Sequence, residues 1–545
     1  MASLQADPLQ ITGSSENATQ SPKEGPQDIS EDETITAKHD LSFYMIMFSL
    51  AVVVFFSAMD ATIIVAAFPT ISHELHGGDK YAWIANCFVL ASTTVQPLIG
   101  QLANIFGRRN PMLISVSLFA LGSGIAGGAT NIAMLIAGRT LMGIGSGGIM
   151  VLTELIICDL VSLRERGKYL GLILGGSGLG VPLGPVIGGA LAQANWRWVF
   201  YINLPVCAVT LALLVVFLRL RHTPEASWKL AFARIDYFGS FLFISSITSI
   251  LLGLILGGTV FPWSSWRVVL PLVLGVAGWA LFHVFEYSSW CKEPIIPPHI
   301  FGNSTTSTAL ILNFISGMLL EWTTFFLPVY FMGVLTTSPL KAGVDILPFT
   351  LFVVPCSVVS GALITIYGTY RPIHWTGFAI GAIAYAAWIC FQLLVAGSIG
   401  LHMMSTLPAV LAPLPESDVA AALGTFAFLR VFGWVWGISI PSIVFNGQFN
   451  KNLSQIDNEA LRATLVNGAS YGYASQGFLL SLTKKEREQT VKVYAQAMKT
   501  VWQVAATFSA VAFFMVFLEK HVVLRTELNT AFGIEQKKKG GGAEV

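Results

Sequence analysis

The sequence predicts an all-α integral membrane fold in which fourteen helices cross the bilayer and the second part of the chain repeats the first. Two observations carry this. Of 545 residues, 54% are hydrophobic and only 11% charged, which leaves more apolar surface than a water-soluble core can bury. Gly100, Leu102, Gly107 and Pro111 also recur without a gap, 261 positions later, as Gly361, Leu363, Gly368 and Pro372. Each stretch lies between two long apolar runs and reads as a short, glycine-bounded basic loop joining two spans. A net charge of +1 gives no bulk basicity for nucleic acid, and no Lys/Arg-rich arm is present.

Residues 1 to 40 are polar, are interrupted by Pro8, Pro22 and Pro26, and read as a disordered cytoplasmic tail. No cleavable signal peptide is recognisable, so the first span serves as its own insertion signal. Runs long enough to cross a bilayer fall near 42–68, 81–103, 111–130, 132–157, 168–192, 198–218, 237–258, 267–287, 305–333, 342–366, 372–391, 393–413, 420–446 and 498–518. The short loops after even-numbered spans carry eleven Lys and Arg, among them Arg108, Arg109, Arg164 and Arg371; the opposite short loops carry Lys80, Arg197, Arg267 and Lys341. This bias places the first set and both termini in the cytoplasm. Residues 447–497 form one long polar segment outside. Residues 372–413 must supply two crossings with no polar turn. Either Ala396 to Gly400 turns tightly, or one long buried run is broken, or the chain carries a deletion. The six cysteines sit in apolar runs or near cytoplasmic loops, which argues against a disulfide framework.

Five motifs in order give the chain its resemblance. Gly100 to Arg109 resembles the loop between spans 2 and 3 of the major facilitator superfamily, and Asp60 to Pro69 resembles the acidic first-span motif of its fourteen-span drug:proton antiporters. Arg139, Gly143 and Gly145 resemble the fourth-span motif built on a membrane arginine. Gly180, Pro182, Gly184, Pro185, Gly188 and Gly189 resemble the fifth-span antiporter motif, and Trp196 to Pro205 the opening of span 6. The likeness is closest to fungal multidrug and toxin efflux pumps, with Asn104 standing where an aspartate is usual. It implies two six-helix bundles, 41–218 and 305–520, joined by a linker with two inserted helices, 219–304, and followed by a cytoplasmic tail, 521–545.

Charges inside the hydrocarbon core cost at least about 2.5 to 3.5 kcal/mol each, so they mark function or pairing. Asp60 and Arg139 stand at similar depth, and two readings remain open: a proton-coupling pair or a permanent structural ion pair. Glu321 and Arg430 also stand at similar depth. Glu321 either binds cationic substrate or exchanges protons, or it pairs with Arg430. Glu154, near the inner end of span 4, reads as an interfacial snorkelling residue. The span 5 glycines and prolines read as a gate between the bundles. Gly100, Asn104, Gly107, Arg108, Arg109 and Asp159 read as a cytoplasmic latch. Phe325, Phe326, Phe426, Phe428, Phe432, Trp434 and Trp436 suggest an aromatic, weakly polar cavity suited to amphipathic organic molecules.

No metal or cofactor pattern appears: His73 and His76 are the only histidines at helical spacing, and Gly167-Lys168 lacks the phosphate-loop pattern. The expected function is proton-coupled efflux of amphipathic compounds at the plasma membrane, by a monomer surrounded by lipid. Uptake of a nutrient or iron chelate, a non-transporting sensor, and a vacuolar or vesicle membrane are the alternatives. Asn452 begins the only Asn-x-Ser/Thr sequon placed outside, since those at Asn17 and Asn303 fall in the cytoplasm. A glycosidase-sensitive mobility shift is therefore expected to vanish with Asn452→Gln; its persistence would overturn the orientation.

Overall fold

A computed structural model describes residues 41–75, 81–221, 227–257, 261–387, 392–466 and 476–525, together with 470, 473 and 474. The expected tails at 1–40 and from 526 onward, and Lys80, His76 and Cys390, lie outside the described residues. In the first half α1 is Leu41–Glu74, α2 Tyr81–Phe106, α3 Arg109–Gly127, α4 Ile132–Leu160, α5 Leu163–Ser177, α6 Gly180–Asn195, α7 Trp198–Tyr201 and α8 Asn203–Phe217. Between the halves come α9 Trp228–Ala233, α10 Tyr237–Leu256 and α11 Trp266–Glu286. The second half holds α12 Ser304–Gly333, α13 Pro339–Asp345, α14 Leu347–Tyr367, α15 Arg371–Ala386, α16 Gln392–Leu411, α17 Val419–Asn452, α18 Glu459–Leu465 and a final long helix, Lys484–Met515. Eleven helical segments among the described residues are long and apolar enough to cross a bilayer. The α2 helix, the α5–α6 pair and the 16-residue α15 occupy the places of the other three expected spans.

The duplication read from the loops is repeated in the packing. In the first half α1 packs on α6, and α4 on both α2 and α3; in the second α12 packs on α17, and α16 on both α14 and α15. The two loop glycines share the left-handed conformation, with φ of 77° at Gly107 and 65° at Gly368, a region that disfavours any side chain. The inserted α10 and α11 pack on each other, and α10 rests on α2 and α17. Where the linker returns to the second half, Glu286 accepts the N–H groups of Ile295 and Ile296, and Asp236 caps α10 through Gly239 N–H. These bonds account for the cluster of Asp236, Glu286 and Cys291, whose donor atoms lie within 4.8 Å of one another.

The halves meet through two seams, α2 against α17 and α5 against α14. A methyl group at Gly100 would stand 2.7 Å from the Ala420 carbonyl oxygen, and one at Gly424 would stand 3.1 Å from Pro97 Cα. On the other seam a methyl group at Gly361 would strike the Gly167 carbonyl, and one at Gly167 would stand 3.1 Å from Gly361 Cα. Both members of the repeated pair Gly100/Gly361 thus press backbone to backbone on the opposite half, a contact only glycine allows. Arg164 reaches across to the carbonyls of Thr365 and Ile366 at 2.6 and 2.8 Å, and Arg166 to Glu416 at 3.4 Å. All of these contacts lie at the ends that the sequence reading assigns to the cytoplasm, so the halves are closed at that end.

Four expectations are corrected. Ala396 to Gly400 is not a turn but the interior of α16, where Gly400 lets α16 approach Val353 and Ser357 of α14. Span 5 is not one helix: it breaks at Gly178 and Leu179, whose N–H groups fall back on the carbonyls of Leu174, Gly175 and Gly176. Residues 447–497 are not all loop, because α17 runs on to Asn452 and the final helix begins at Lys484 behind a capping box made by Thr483 and Glu486. Lys485 and Gln489 of that helix bind Asp457 at 2.6 and 2.9 Å, holding its carboxyl below the usual carboxylate range. Residues 521–525 are not a free tail, since Leu524 is buried and the Arg525 carbonyl accepts the Arg164 N–H. Asn452 is half-buried, with its amide donating to the Gln448 carbonyl at 2.8 Å.

Gly361→Leu should hold the cytoplasmic seam apart. A cysteine placed at Thr365 should then react with an impermeant maleimide on the order of tenfold faster, a shift of about 1.4 kcal/mol in opening, whereas Gly343→Leu, where a side chain meets nothing within 4 Å, should not change the rate.

Candidate functional site

Four helices of the first half converge on Asp60. Its carboxylate takes a bond from Arg139 Nη1 of α4 at 2.5 Å and one from Asn203 Nδ2 of α8 at 2.9 Å. Asn203 also reaches Ser123 of α3 at 3.2 Å, and Ser123 donates to the Phe200 carbonyl at 2.6 Å. Asp60, Arg139, Asn203 and Ser123 are all fully buried. The guanidinium lies 4.6 Å from the centre of the Phe88 ring, and its Nε and Nη2 have no hydrogen-bond partner among the described residues. The expected Asp60–Arg139 partners are therefore in contact, and Asn203 is a third member. It entered the sequence reading only as part of the span 6 motif; a polar amide opening an otherwise apolar helix was the available signal.

The span 5 glycines divide between two neighbours. Gly167, Gly171 and Gly175 of α5 face α14 of the second half, whereas Gly180, Gly184 and Gly188 of α6 face α1. The expected contact of Gly184 with the opposite bundle is therefore corrected: the five-residue step from Gly175 to Gly180 turns about 140° around a helix, which places the later glycines on the face toward their own half. A methyl group at Gly180 or Gly184 would stand 2.7 Å from the carbonyl of Phe55 or Met59, the residue before Asp60. Thr62 Oγ1 ties the two helices by donating to the Val181 carbonyl at 2.8 Å. Gly189 is half-buried, and the side chains of Pro182 and Pro185 lie outside the described residues. The second half repeats this joint: methyl groups at Gly433 and Gly437 of α17 would strike the carbonyls of Phe314 and Met318 of α12. The glycines here are 253 positions apart rather than 261, so the loop register did not reveal this repeat.

Glu321 lies on α12 beside Gly437, half-buried and with no ion pair or hydrogen bond among the described residues. Arg430 does not pair with it. Its Nη2 bonds Glu154 Oε1 of α4 at 2.5 Å, and its guanidinium lies 5.4 Å from the centre of the Phe426 ring. This corrects both expectations. Glu154 is not a snorkelling residue, since its side chain is 0% exposed and points across to the other half.

At the face assigned to the cytoplasm Arg108 binds Asp159 at 2.8 Å, the Ala103 carbonyl at 2.6 Å and Asn104 Oδ1 at 3.1 Å. Asn104 therefore keeps an acceptor where the family usually has a carboxylate. Arg109 turns away to the Val215 carbonyl at 2.7 Å. The Arg108–Asp159 pair joins elements of one half, so it braces that half and does not itself close the two together; Gly100, Arg164 and Arg166 bridge the halves.

Two buried histidines were missed. His374 of α15 binds Glu519 at 2.9 Å with both side chains unexposed, and His402 of α16 bonds Ser316 and stacks on Phe378 at 4.4 Å. Of the expected cavity aromatics, Phe428 and Phe432 face the inserted helices, with Phe428 against Phe243 and Phe432 near Trp279, while Phe326 packs on Phe445. Phe325, Trp434 and Trp436 are half-buried, and Trp436 packs edge-on against Phe432.

Two related helical halves, closed at one end and holding buried ion pairs, define a membrane transporter rather than an enzyme. The Major Facilitator Superfamily model matches residues 50–438, and the chain belongs to that family. The MFS efflux transporter aclA of Aspergillus oryzae is 46% identical over 537 residues, 96% of this chain and 97% of that protein. The MFS-type efflux pump LUC4 of a Fusarium species is 42% identical over 93% of each chain. Among solved structures, the human organic anion transporter MFSD10 is matched over 88% of this chain and 100% of its own, with a TM-score of 0.58 at 14% identity. A bacterial homologue of the human lysosomal transporter Spinster is matched over 88% and 97%, with a TM-score of 0.51 at 16% identity. These two show the shared fold.

Asp60→Asn keeps an oxygen for Arg139 to bind but removes the titratable group. Gradient-driven transport should be lost with near-normal surface abundance, and a variant that still transported at the wild-type rate would remove Asp60 from energy coupling. Gly184→Val should push α1 away from α6 at the turn that carries Asp60, lowering transport at unchanged sorting.

Proposed function

We propose that this protein exports amphipathic organic compounds, such as secondary metabolites or toxins, in exchange for protons by alternating access at the plasma membrane. The observation that supports coupling is the fully buried Asp60 cluster, a carboxylate held between a cation and an amide where three helices and α1 meet. Removal of such a carboxylate's charge weakens its hold on Arg139, and the return of the charge restores it, so the bond can follow the proton. Direction is supported by relatives named as efflux transporters or pumps at 46% and 42% identity over nearly the whole chain. Glu321, half-buried on the helix that corresponds to α1, is the group we assign to meet basic centres of cargo or a second proton. A single chain holds both halves, so a monomer suffices.

Cells producing the protein should accumulate less of a fluorescent amphipathic drug, and a protonophore should abolish the difference. Gradient-dependent gain of drug inside the cell would instead establish uptake.

A further inference from the structure

The buried pair Glu154–Arg430 has no role in the scheme above. It joins α4 of the first half to α17 of the second, and its two side chains are 0% and 5% exposed. The inside can open only if α17 leaves α2 and α4, which breaks this pair as well as the glycine seam. Separation with both charges intact strands two ions in an apolar wall and forfeits their mutual attraction. Neutralising one partner first leaves one stranded ion instead of two and removes the attraction that holds the halves together at this point. Arg430 cannot lose its proton, so Glu154 is the group that can change.

The surroundings leave a place for that proton. Among the described residues Glu154 Oε2 is buried without a hydrogen-bond partner, and so are Thr153 Oγ1 and both side-chain polar atoms of Gln96, whose backbone on α2 stands beside Gly424 of α17. Other charged groups on the helices packed against α4 are committed elsewhere. Asp60 of α1 is held by Arg139 and Glu74 by Trp196, Arg109 of α3 by the Val215 carbonyl, and Arg164 and Arg166 of α5 by carbonyls and Glu416. Glu165 and Lys168 of α5 are partly or fully exposed, and α2 carries no acidic or basic residue. On α4 itself Asp159 is held by Arg108, and Cys158 is a buried free thiol.

We infer that Glu154–Arg430 is the interior lock of the inside-closed state and that Glu154 is a second proton-carrying acid: a proton arriving on Oε2 releases Arg430 and lets the inside open, and loss of that proton to the cytosol allows the pair to form again and close it. This rests on the proton-coupled reading of the transporter and adds a second residue to it. The order matches an exporter, because the proton enters while the outside is open and leaves while the inside is open.

The test uses the full chain in proteoliposomes with a cysteine at Thr365, labelled by an impermeant maleimide from the cytoplasmic side and corrected for labelling of the parent chain. Wild-type labelling should rise several-fold as the pH falls. Glu154→Gln, which resembles the protonated acid, should label fast at every pH, and Glu154→Gln with Arg430→Gln should do the same if the pair acts as one unit. Labelling of Glu154→Gln at the wild-type rate with the wild-type pH response would overturn the lock. A fast, pH-independent double variant beside a wild-type-like Glu154→Gln would also overturn it, because Arg430 would then act without Glu154. Asp60→Asn separates the two proposals: it should lose gradient-driven transport yet keep Glu154-dependent labelling, whereas failure of proton coupling itself would appear as wild-type flux that ignores the gradient.

Discussion

A bilayer interior cannot solvate an ion, and this constraint organises the protein. Asp60, Arg139, Glu154 and Arg430 are all buried, and each ion is matched by an opposite charge at 2.5 Å. Paired charges in a low-dielectric interior add little net stability and are costly to separate. They are therefore poor cement but good selectors of state, because any rearrangement that parts them must first change their charge. One pair lies within a half and the other crosses between halves. The first can register a change within the bundle that carries α1, and the second registers whether the bundles are together.

Glycine supplies the complementary device. Within each half a G-x-x-x-G step joins the first helix to the fifth, Gly180 and Gly184 on α1 in one and Gly433 and Gly437 on α12 in the other. Between halves, Gly100 and Gly361 do the same at the cytoplasmic ends. Close backbone approach replaces the hydrophobic drive that lipid removes, since apolar side chains gain little by leaving one hydrocarbon for another.

The membrane class, the positions of most spans and the duplication were legible because each follows from something local: hydropathy over about 20 residues, basic loops, and glycine at a left-handed turn. The Asp60–Arg139 contact was accessible from depth alone. Depth misled at Arg430, since Glu321 and Glu154 both lie within reach along the membrane normal and only the arrangement of helices around it chooses between them. The face of the span 5 glycines was readable but not read: two four-residue series, 167–171–175 and 180–184–188, are offset by five residues and so lie on different sides of a helix. The start of the final helix was hidden by polarity: Lys484 to Lys499 reads as loop by composition, although Thr483 and Glu486 carried the capping signal. A turn was misplaced inside α16 because the glycines at 397 and 400 resemble one when their actual use is proximity to α14.

The backbone seam at Gly100 and Gly361 has a consequence for how cargo preference can diversify. Long side chains could stretch to keep a partial barrier as the halves part, but bare backbone has no such reach, and its dispersion attraction fades within about an ångström of separation. The barrier is thus all-or-none, and its sharpness is set by main-chain geometry at positions that never touch the transported molecule. Residues lining the cavity wall are free to vary in size and polarity without retuning the barrier, so a single scaffold can acquire new cargo by drift in one region while its tightness against leakage is inherited unchanged in another.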